Sequence, residues 1–80
     1  MVTVHRESGL KFVIYKDDHP PAHVHIYGGS GIAEFELAAS DGLPALVSSR
    51  GISAGDLRRA MRIVKREQAG MLAHWSRIHG

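Results

Sequence analysis

The sequence predicts an α+β fold in which a small antiparallel sheet of three to four strands, formed by two β-hairpins, is packed by one long C-terminal amphipathic helix. Short β-rich runs occupy the first half of the chain, turn residues separate them, and an apolar stripe with helical spacing follows Ser53. A chain of 80 residues is too short to build two cores. We therefore expect one domain, 1–80, with the sheet in 1–53 and the helix in 54–79.

The first hairpin is predicted from two β-rich runs, residues 3–6 and 11–16, which are joined by Glu7-Ser8-Gly9-Leu10. The segment 17–22 follows and contains Pro20 and Pro21. Consecutive prolines remove two backbone donors and push the residues before them out of helical geometry. This segment is therefore predicted to be a loop.

The second hairpin is predicted from two alternating runs, residues 23–27 and 32–37, on either side of Gly28-Gly29-Ser30-Gly31. A two-residue turn at Gly29-Ser30 places His25 opposite Glu34 and His23 opposite Glu36. One face of the hairpin then carries four ionisable groups, and the other face is apolar, with Val24 opposite Phe35 and Ile26 opposite Ala33. After residue 37 the pattern weakens. We expect a turn at 40–42 and at most a short strand at Leu46-Val47.

The helix is predicted to begin at Ser53, whose hydroxyl can accept a hydrogen bond from a free backbone N–H, with Asp56 as its capping-box partner. Gln68 is the one polar residue on the apolar face of this helix, and Trp75 is expected in the core. Spacing of about 100° per residue places eight residues on that face: Leu57, Ala60, Met61, Val64, Met71, Leu72, Trp75 and Ile78.

The charge of the chain is unevenly distributed. The net charge is +2, but residues 54–80 carry six Lys or Arg and two acidic side chains, whereas residues 1–53 carry four and six. The helix is therefore basic and the sheet mildly acidic, which suits an acidic partner, nucleic acid or self-association. The candidate contact residues for nucleic acid or an acidic partner are Arg58, Arg59, Arg62, Lys65 and Arg66. The alternative is a solvated helix face.

The His-x-His pair on the second hairpin suggests a metal site. His23 and His25 project from one face of a strand, and Glu34 and Glu36 lie opposite, with His19 or Asp18 from the proline loop as a further ligand. Nitrogen-plus-oxygen ligand sets of this kind suit zinc, manganese or iron. The alternative is two cross-strand His–Glu pairs that decorate an exposed face.

The compartment is predicted from what the sequence lacks. The sequence contains no cysteine, and it contains no apolar run as long as the about 20 residues that a membrane span requires. The N-terminal residues contain no apolar core of a signal peptide. We expect a cytoplasmic protein that does not enter a membrane.

Two separated segments resemble the domain of unknown function 4160 family of small bacterial proteins. The first is the run 18–26, Asp-His-Pro-Pro-Ala-His-Val-His-Ile, which is followed by Gly28-Gly29 and then by Ala33-Glu34-Phe35. The second is the run 49–53, Ser-Arg-Gly-Ile-Ser, which leads into the helix. Within the helix the match covers Leu57-Arg58-Arg59, Val64, Met71-Leu72 and Trp75. Gly70 and Ala73 depart from the family pattern, in which this helix is more charged.

The resemblance implies a Pro-Pro-x-His-x-His hairpin backed by a long helix, and a small protein partner encoded by a neighbouring gene. It implies an uncharacterised protein-interaction module that forms half of a toxin–antitoxin-like pair. No nucleophile–base set is evident, so no catalytic residue is predicted. The alternatives are a metal-dependent hydrolase or nuclease that uses the hairpin His/Glu cluster, nucleic-acid binding through the basic helix, and a homodimer.

Overall fold

The computed structural model describes residues 1–80, apart from the side chain of Ser40. Five antiparallel strands form one sheet in the order in which they occur in the chain, and one helix follows them. The elements are β1 (Val2–Glu7), β2 (Leu10–Ile14), β3 (His23–Gly28), β4 (Gly31–Ser40), β5 (Leu43–Arg50) and α1 (Ala54–His79). The α+β class with a C-terminal helix is confirmed.

The sheet has five strands, so the expectation of three to four was wrong. The strand that the sequence did not reveal in full is β5, which extends over eight residues instead of a short segment at Leu46-Val47. It is an edge strand, largely exposed, and its register with β4 shifts between Glu34 and Phe35. A bulge of this kind breaks the period of two, and an edge strand lacks the buried face that produces apolar alternation.

Both predicted hairpins are present, and the register of the second is confirmed. Gly28 pairs with Gly31, so the turn consists of Gly29 and Ser30, and His25 faces Glu34 while His23 faces Glu36. Gly29 has a φ of 56°, in the left-handed region that glycine adopts without strain. The turn chemistry therefore sets which side chains of β3 and β4 share a face.

The core lies between α1 and one face of the sheet. Its sheet side includes Phe12, Ile26 and Phe35, and its helix side includes Ile63 and Trp75. Trp75 is 9% exposed, which agrees with its predicted core position. The remaining buried members are Leu10, Ile14, Val24, Ala33, Leu37, Ala60, Val64 and Met71.

The buried face of α1 is rotated relative to the predicted stripe. Ile63, which the predicted stripe omits, is 1% exposed, whereas Met61 and Leu72 are only partly buried. Apolar residues cover more of this helix surface than one stripe of about 100° requires. The spacing alone therefore could not decide which part of that surface meets the sheet.

Polar contacts cap α1 and help to fix it against the sheet. The Ser53 hydroxyl accepts a hydrogen bond from the Asp56 amide at 3.1 Å, as an N-cap does, while the Asp56 carboxylate pairs with Arg59. Gln68 accepts from the Ala38 amide and donates to the Gly42 carbonyl, both at 2.8 Å. The one polar residue on the apolar face thus ties the helix to the β4–β5 turn. Within the described chain, α1 is too polar to qualify as a membrane-spanning helix.

Candidate metal centre

Two histidines of β3 project from the sheet face opposite α1. Val24, between them in sequence, is buried in the core, so the alternation of the strand turns His23 and His25 to the other side. Their side chains are 13% and 17% exposed. This face is therefore more enclosed around the histidines than the exposed hairpin surface that the sequence suggested.

Asp18 of the β2–β3 loop lies against both histidines. The backbone turns here, because the Asp18 amide donates to the Tyr15 carbonyl at 3.1 Å. The Asp18 Oδ2 atom in turn accepts from the Tyr15 amide at 3.2 Å. That carboxylate oxygen lies 3.2 Å from His23 Nε2 and 3.3 Å from His25 Nε2. Ligand atoms of all three residues lie within 4.8 Å of one another.

A backbone contact orients the His23 ring. Its Nδ1 atom lies 2.9 Å from the Pro21 carbonyl oxygen, which can only accept, so Nδ1 carries the proton and donates it. In the neutral ring, Nε2 then presents a lone pair toward Asp18. Metal-binding histidines commonly show this arrangement, in which a hydrogen bond from one nitrogen fixes the tautomer and the other nitrogen binds the ion.

The second histidine has an unsatisfied nitrogen. His25 Nε2 is buried, and among the described residues it has no hydrogen-bond partner. Asp18 Oδ2 is close enough, at 3.3 Å, but the angles are not those of a hydrogen bond. A buried polar atom without a partner is costly, and in native structures it often marks an ion or water that completes the site.

The two distances from Asp18 to the histidines fit a small divalent cation. Zinc binds imidazole nitrogen and carboxylate oxygen at about 2.0–2.1 Å, and a tetrahedron with such bonds has ligand–ligand distances of about 3.3 Å. The two nitrogen–oxygen distances at Asp18 are 3.2 and 3.3 Å. Three protein ligands leave at least one coordination position open, as catalytic zinc sites do.

Aromatic rings surround the three residues. The Tyr15 ring packs edge-on against His25 with centroids 4.9 Å apart, and its hydroxyl is hydrogen-bonded to that of Tyr27. The hydrogen bond to Tyr27, and secondly burial, raise the pKa of Tyr15 to about 12. On the other side the Trp75 ring lies 5.1 Å from His23. Neutral aromatic groups thus limit the access of water without competing as ligands.

The other sequence-predicted ligands are not part of this cluster. His19, Glu34 and Glu36 line a neighbouring hollow of about 280 Å³, which also includes the edge of His23. Glu34 lines a second hollow of about 390 Å³ beside His25. In the part of the chain that the structure describes, neither glutamate forms an ion pair with a histidine, because both rings turn toward Asp18 instead.

A family model described as "Domain of unknown function (DUF4160)" matches residues 9–76. The chain belongs to this family. The matched range contains the whole Asp18–His23–His25 cluster and all but the last residues of α1. No curated protein and no solved structure matches the chain.

The structure divides the five basic residues of α1 that were predicted as contact residues into two groups in this DUF4160 member. Arg59 pairs with Asp56, and Arg66 pairs with both Glu7 and Glu67. The second group consists of Arg58, Arg62 and Lys65. These side chains are exposed, and among the residues that the structure describes they form no ion pair.

Sequence reasoning missed the tyrosines of the site. Tyr15 lies two residues beyond Val13, which pairs with His25, and Tyr27 lies two residues beyond His25. Period-two alternation places all of them on the histidine face once the β2–β3 register is known. That register spans the proline loop, and no short turn indicates it in the sequence.

Proposed function

We propose that this chain binds a divalent metal ion, zinc or manganese, through Asp18, His23 and His25, and that the site supports metal-dependent hydrolysis. The observation that carries the proposal is the convergence of two imidazole nitrogens on one fixed carboxylate oxygen, with the buried His25 nitrogen left without a hydrogen bond. Protonated histidines paired with Asp18 are the alternative state of the same three residues.

The proposed chemistry follows from the open position. Asp18, His23 and His25 would hold the ion, and the ion would supply Lewis-acid activation of a water molecule near neutral pH. Glu34 lines both hollows beside the histidines and is the candidate proton acceptor. The hollows provide space for a small ester or phosphodiester next to the ion.

The test is calorimetric titration of the purified protein with zinc and with manganese. We expect one ion per chain, and loss of binding in Asp18→Asn and His25→Ala. Glu36→Gln removes a carboxylate from the same face outside the cluster and serves as the control, with binding retained. Binding that survives both ligand substitutions, or no binding to the wild type, contradicts the site.

The hydrolytic activity needs its own assay. We expect metal-stimulated cleavage of a chromogenic phosphodiester or carboxylate ester that Asp18→Asn abolishes and Glu34→Gln reduces while metal binding remains. A protein that binds one ion but cleaves neither compound is a metal-binding protein without this activity.

A second function, a protein-interaction module in a toxin–antitoxin-like gene pair, is favoured by the open edge of the sheet. Strand β5 pairs with β4 alone, and Leu43, Leu46 and Val47 on it are 54%, 47% and 55% exposed. Exposed apolar side chains along an unpaired strand are typical of a surface that another chain covers. Co-expression with the product of the neighbouring gene tests this function, and failure of the two proteins to co-purify contradicts it.

A further inference from the structure

A groove runs between β5 and the N-terminal half of α1, on the helix side of the sheet. Its volume is about 270 Å³, and it is lined by Phe35, Leu46, Leu57, Met61 and Arg58. Four of these five residues are apolar. Leu57 and Met61 are only partly buried, because α1 turns Ile63 toward the sheet instead. The groove is therefore an apolar surface that this fold itself does not cover.

One side of the groove is a free strand edge. Strand β5 is eight residues long, and its only strand neighbour is β4, so alternate backbone N–H and C=O groups point outward. An extended segment of another chain can accept and donate these hydrogen bonds as an added sixth strand. Its alternate side chains would then point into the groove.

At the other side of the groove Arg58 begins a row of three cations along α1. Arg58, Arg62 and Lys65 follow one another at spacings of four and three residues, which places them along one side of α1. They are exposed and, across the described residues, unpaired, in contrast to Arg59 and Arg66. Arg58 also lines the groove itself. Carboxylates on the bound segment would complement this row.

We infer that the groove binds an acidic, extended segment of a partner protein, which adds to β5, buries its apolar side chains in the groove and places its carboxylates against Arg58, Arg62 and Lys65. This inference rests on the proposed interaction function and is independent of the metal site. It specifies where the partner binds and the chemistry of the partner's segment.

Two other occupants fit the groove less well. A second copy of this chain, paired through its own β5, would bring Arg50 and no carboxylate, because Leu43–Arg50 contains no acidic residue. Like charges would then face one another across the contact. Nucleic acid would satisfy the cations, but its phosphates would leave the apolar floor of Leu46, Leu57 and Met61 uncovered.

The test uses two labelled synthetic peptides of the length of β5, one of alternating Glu and Val and one of alternating Lys and Val, in fluorescence anisotropy titrations at low ionic strength. We expect the wild type to bind the acidic peptide and not the basic one. Reversal of the groove charges (Arg58→Glu, Arg62→Glu and Lys65→Glu) should weaken acidic-peptide binding by at least about tenfold and create binding of the basic peptide. Leu46→Ala should weaken acidic-peptide binding by the wild type and basic-peptide binding by the charge-reversed variant.

The matched control reverses three exposed cations away from the groove: Arg6→Glu, Lys16→Glu and Arg77→Glu. It has the same net charge as the groove variant, so an equal loss of acidic-peptide binding overturns the inference. Two further outcomes overturn the inference. If single-stranded RNA binds more tightly than the acidic peptide and the groove variant abolishes this binding, nucleic acid is the occupant. If light scattering shows a dimer that Val47→Lys dissociates, a second copy of the chain is the occupant.

Co-purification separates this inference from the interaction function. If the neighbouring gene product co-purifies with the wild type and equally with the groove variant, the interaction function stands and the groove is not its site. If the gene product co-purifies with neither protein, but the wild type binds the acidic peptide and not the basic one, the groove is supported as a binding site and the pairing with the neighbouring gene is contradicted.

Discussion

The Nδ1 atom of His23 lies 2.9 Å from the carbonyl oxygen of Pro21. Because a carbonyl oxygen only accepts hydrogen bonds, this contact determines which nitrogen of His23 carries the proton when the ring is neutral. The other nitrogen, Nε2, is then free to bind a cation beside Asp18. The proline loop thus contributes both a candidate ligand, Asp18, and the carbonyl group that orients a second candidate ligand, His23.

The metal site predicts a specific pH dependence. Protons and the metal compete for the same imidazole nitrogens, so zinc or manganese should raise the melting temperature near pH ~7.5 and not near pH ~5.5. His23→Ala should abolish that rise, and Glu36→Gln should keep it. If His23 and His25 only form ion pairs with Asp18, thermal melts are indifferent to metal at both pH values.

The Glu7–Arg66 ion pair predicts a second pH effect. The hydrogen bond from Arg66, and secondly that from His5, lower the pKa of Glu7 from 4.5 to about 2. A lowered pKa stabilises the folded state above the unfolded value, and this contribution is lost as the pH falls from about 4.5 toward about 2. The difference in melting temperature between the wild type and Glu7→Gln should therefore shrink over this range.

Salt provides the check on that pair. Arg66 is exposed and Glu7 is partly exposed, so about 1 M salt should screen the pair and reduce this difference in melting temperature at neutral pH as well. Thr3→Ser, a neutral change on the same strand, should show neither dependence. A difference between wild type and Glu7→Gln that is constant with pH and salt would rule out an electrostatic origin.

The rotation of α1 predicts unequal costs for two neighbouring residues. Met71 is 2% exposed, whereas Leu72 is only partly buried. Met71→Ala should lower the free energy of unfolding by about 2–5 kcal/mol. Leu72→Ala should lower it on the order of 1 kcal/mol. Urea denaturation of both variants measures the two values, and a larger cost at Leu72 than at Met71 would contradict the observed orientation of the helix.

Two glycines predict opposite effects of the same substitution. Gly70 lies inside α1, and a Cβ atom added there meets nothing within 4 Å, so Gly70→Ala should stabilise the protein by up to about 1 kcal/mol. A Cβ atom on Gly31 would overlap the backbone of Gly51. Gly31→Ala should therefore destabilise the protein, since backbone atoms have nowhere to move. Thermal melts of the two variants test both expectations. Equal shifts in melting temperature would contradict the close approach of Gly31 to Gly51.

Local chemistry made part of this fold predictable. The turn residues Gly29 and Ser30 determined the β3–β4 register, and the Ser53 hydroxyl marked the start of the helix. Strand β5 escaped prediction because its pairing with β4 is bulged and because an edge strand needs no apolar alternation. The position of Ile63 in the core depends on how the helix is oriented across the five strands. Helical spacing in the sequence carries no information about that orientation.

The candidate site was predictable to a similar degree. Period-two spacing was sufficient to place His23 and His25 on one face, and the proline loop was the expected source of a further ligand. The choice between Asp18 and His19 depends on how that loop turns, which the Tyr15–Asp18 backbone hydrogen bond decides. Short spacings along a strand can be read from a sequence, whereas the path of an irregular loop cannot.

The order of the elements affects how this chain folds as it is synthesised. Each strand pairs with the strand before it, so the sheet can assemble from its N-terminus while translation continues. The 26 residues of α1 are synthesised after the sheet, which takes about one to five seconds at typical elongation rates. During that interval Phe12, Ile26 and Phe35 have no cover. A nascent chain that stalls once its sheet, but not α1, has left the ribosome would expose this apolar face, and binding by a ribosome-associated chaperone should be strongest at that length.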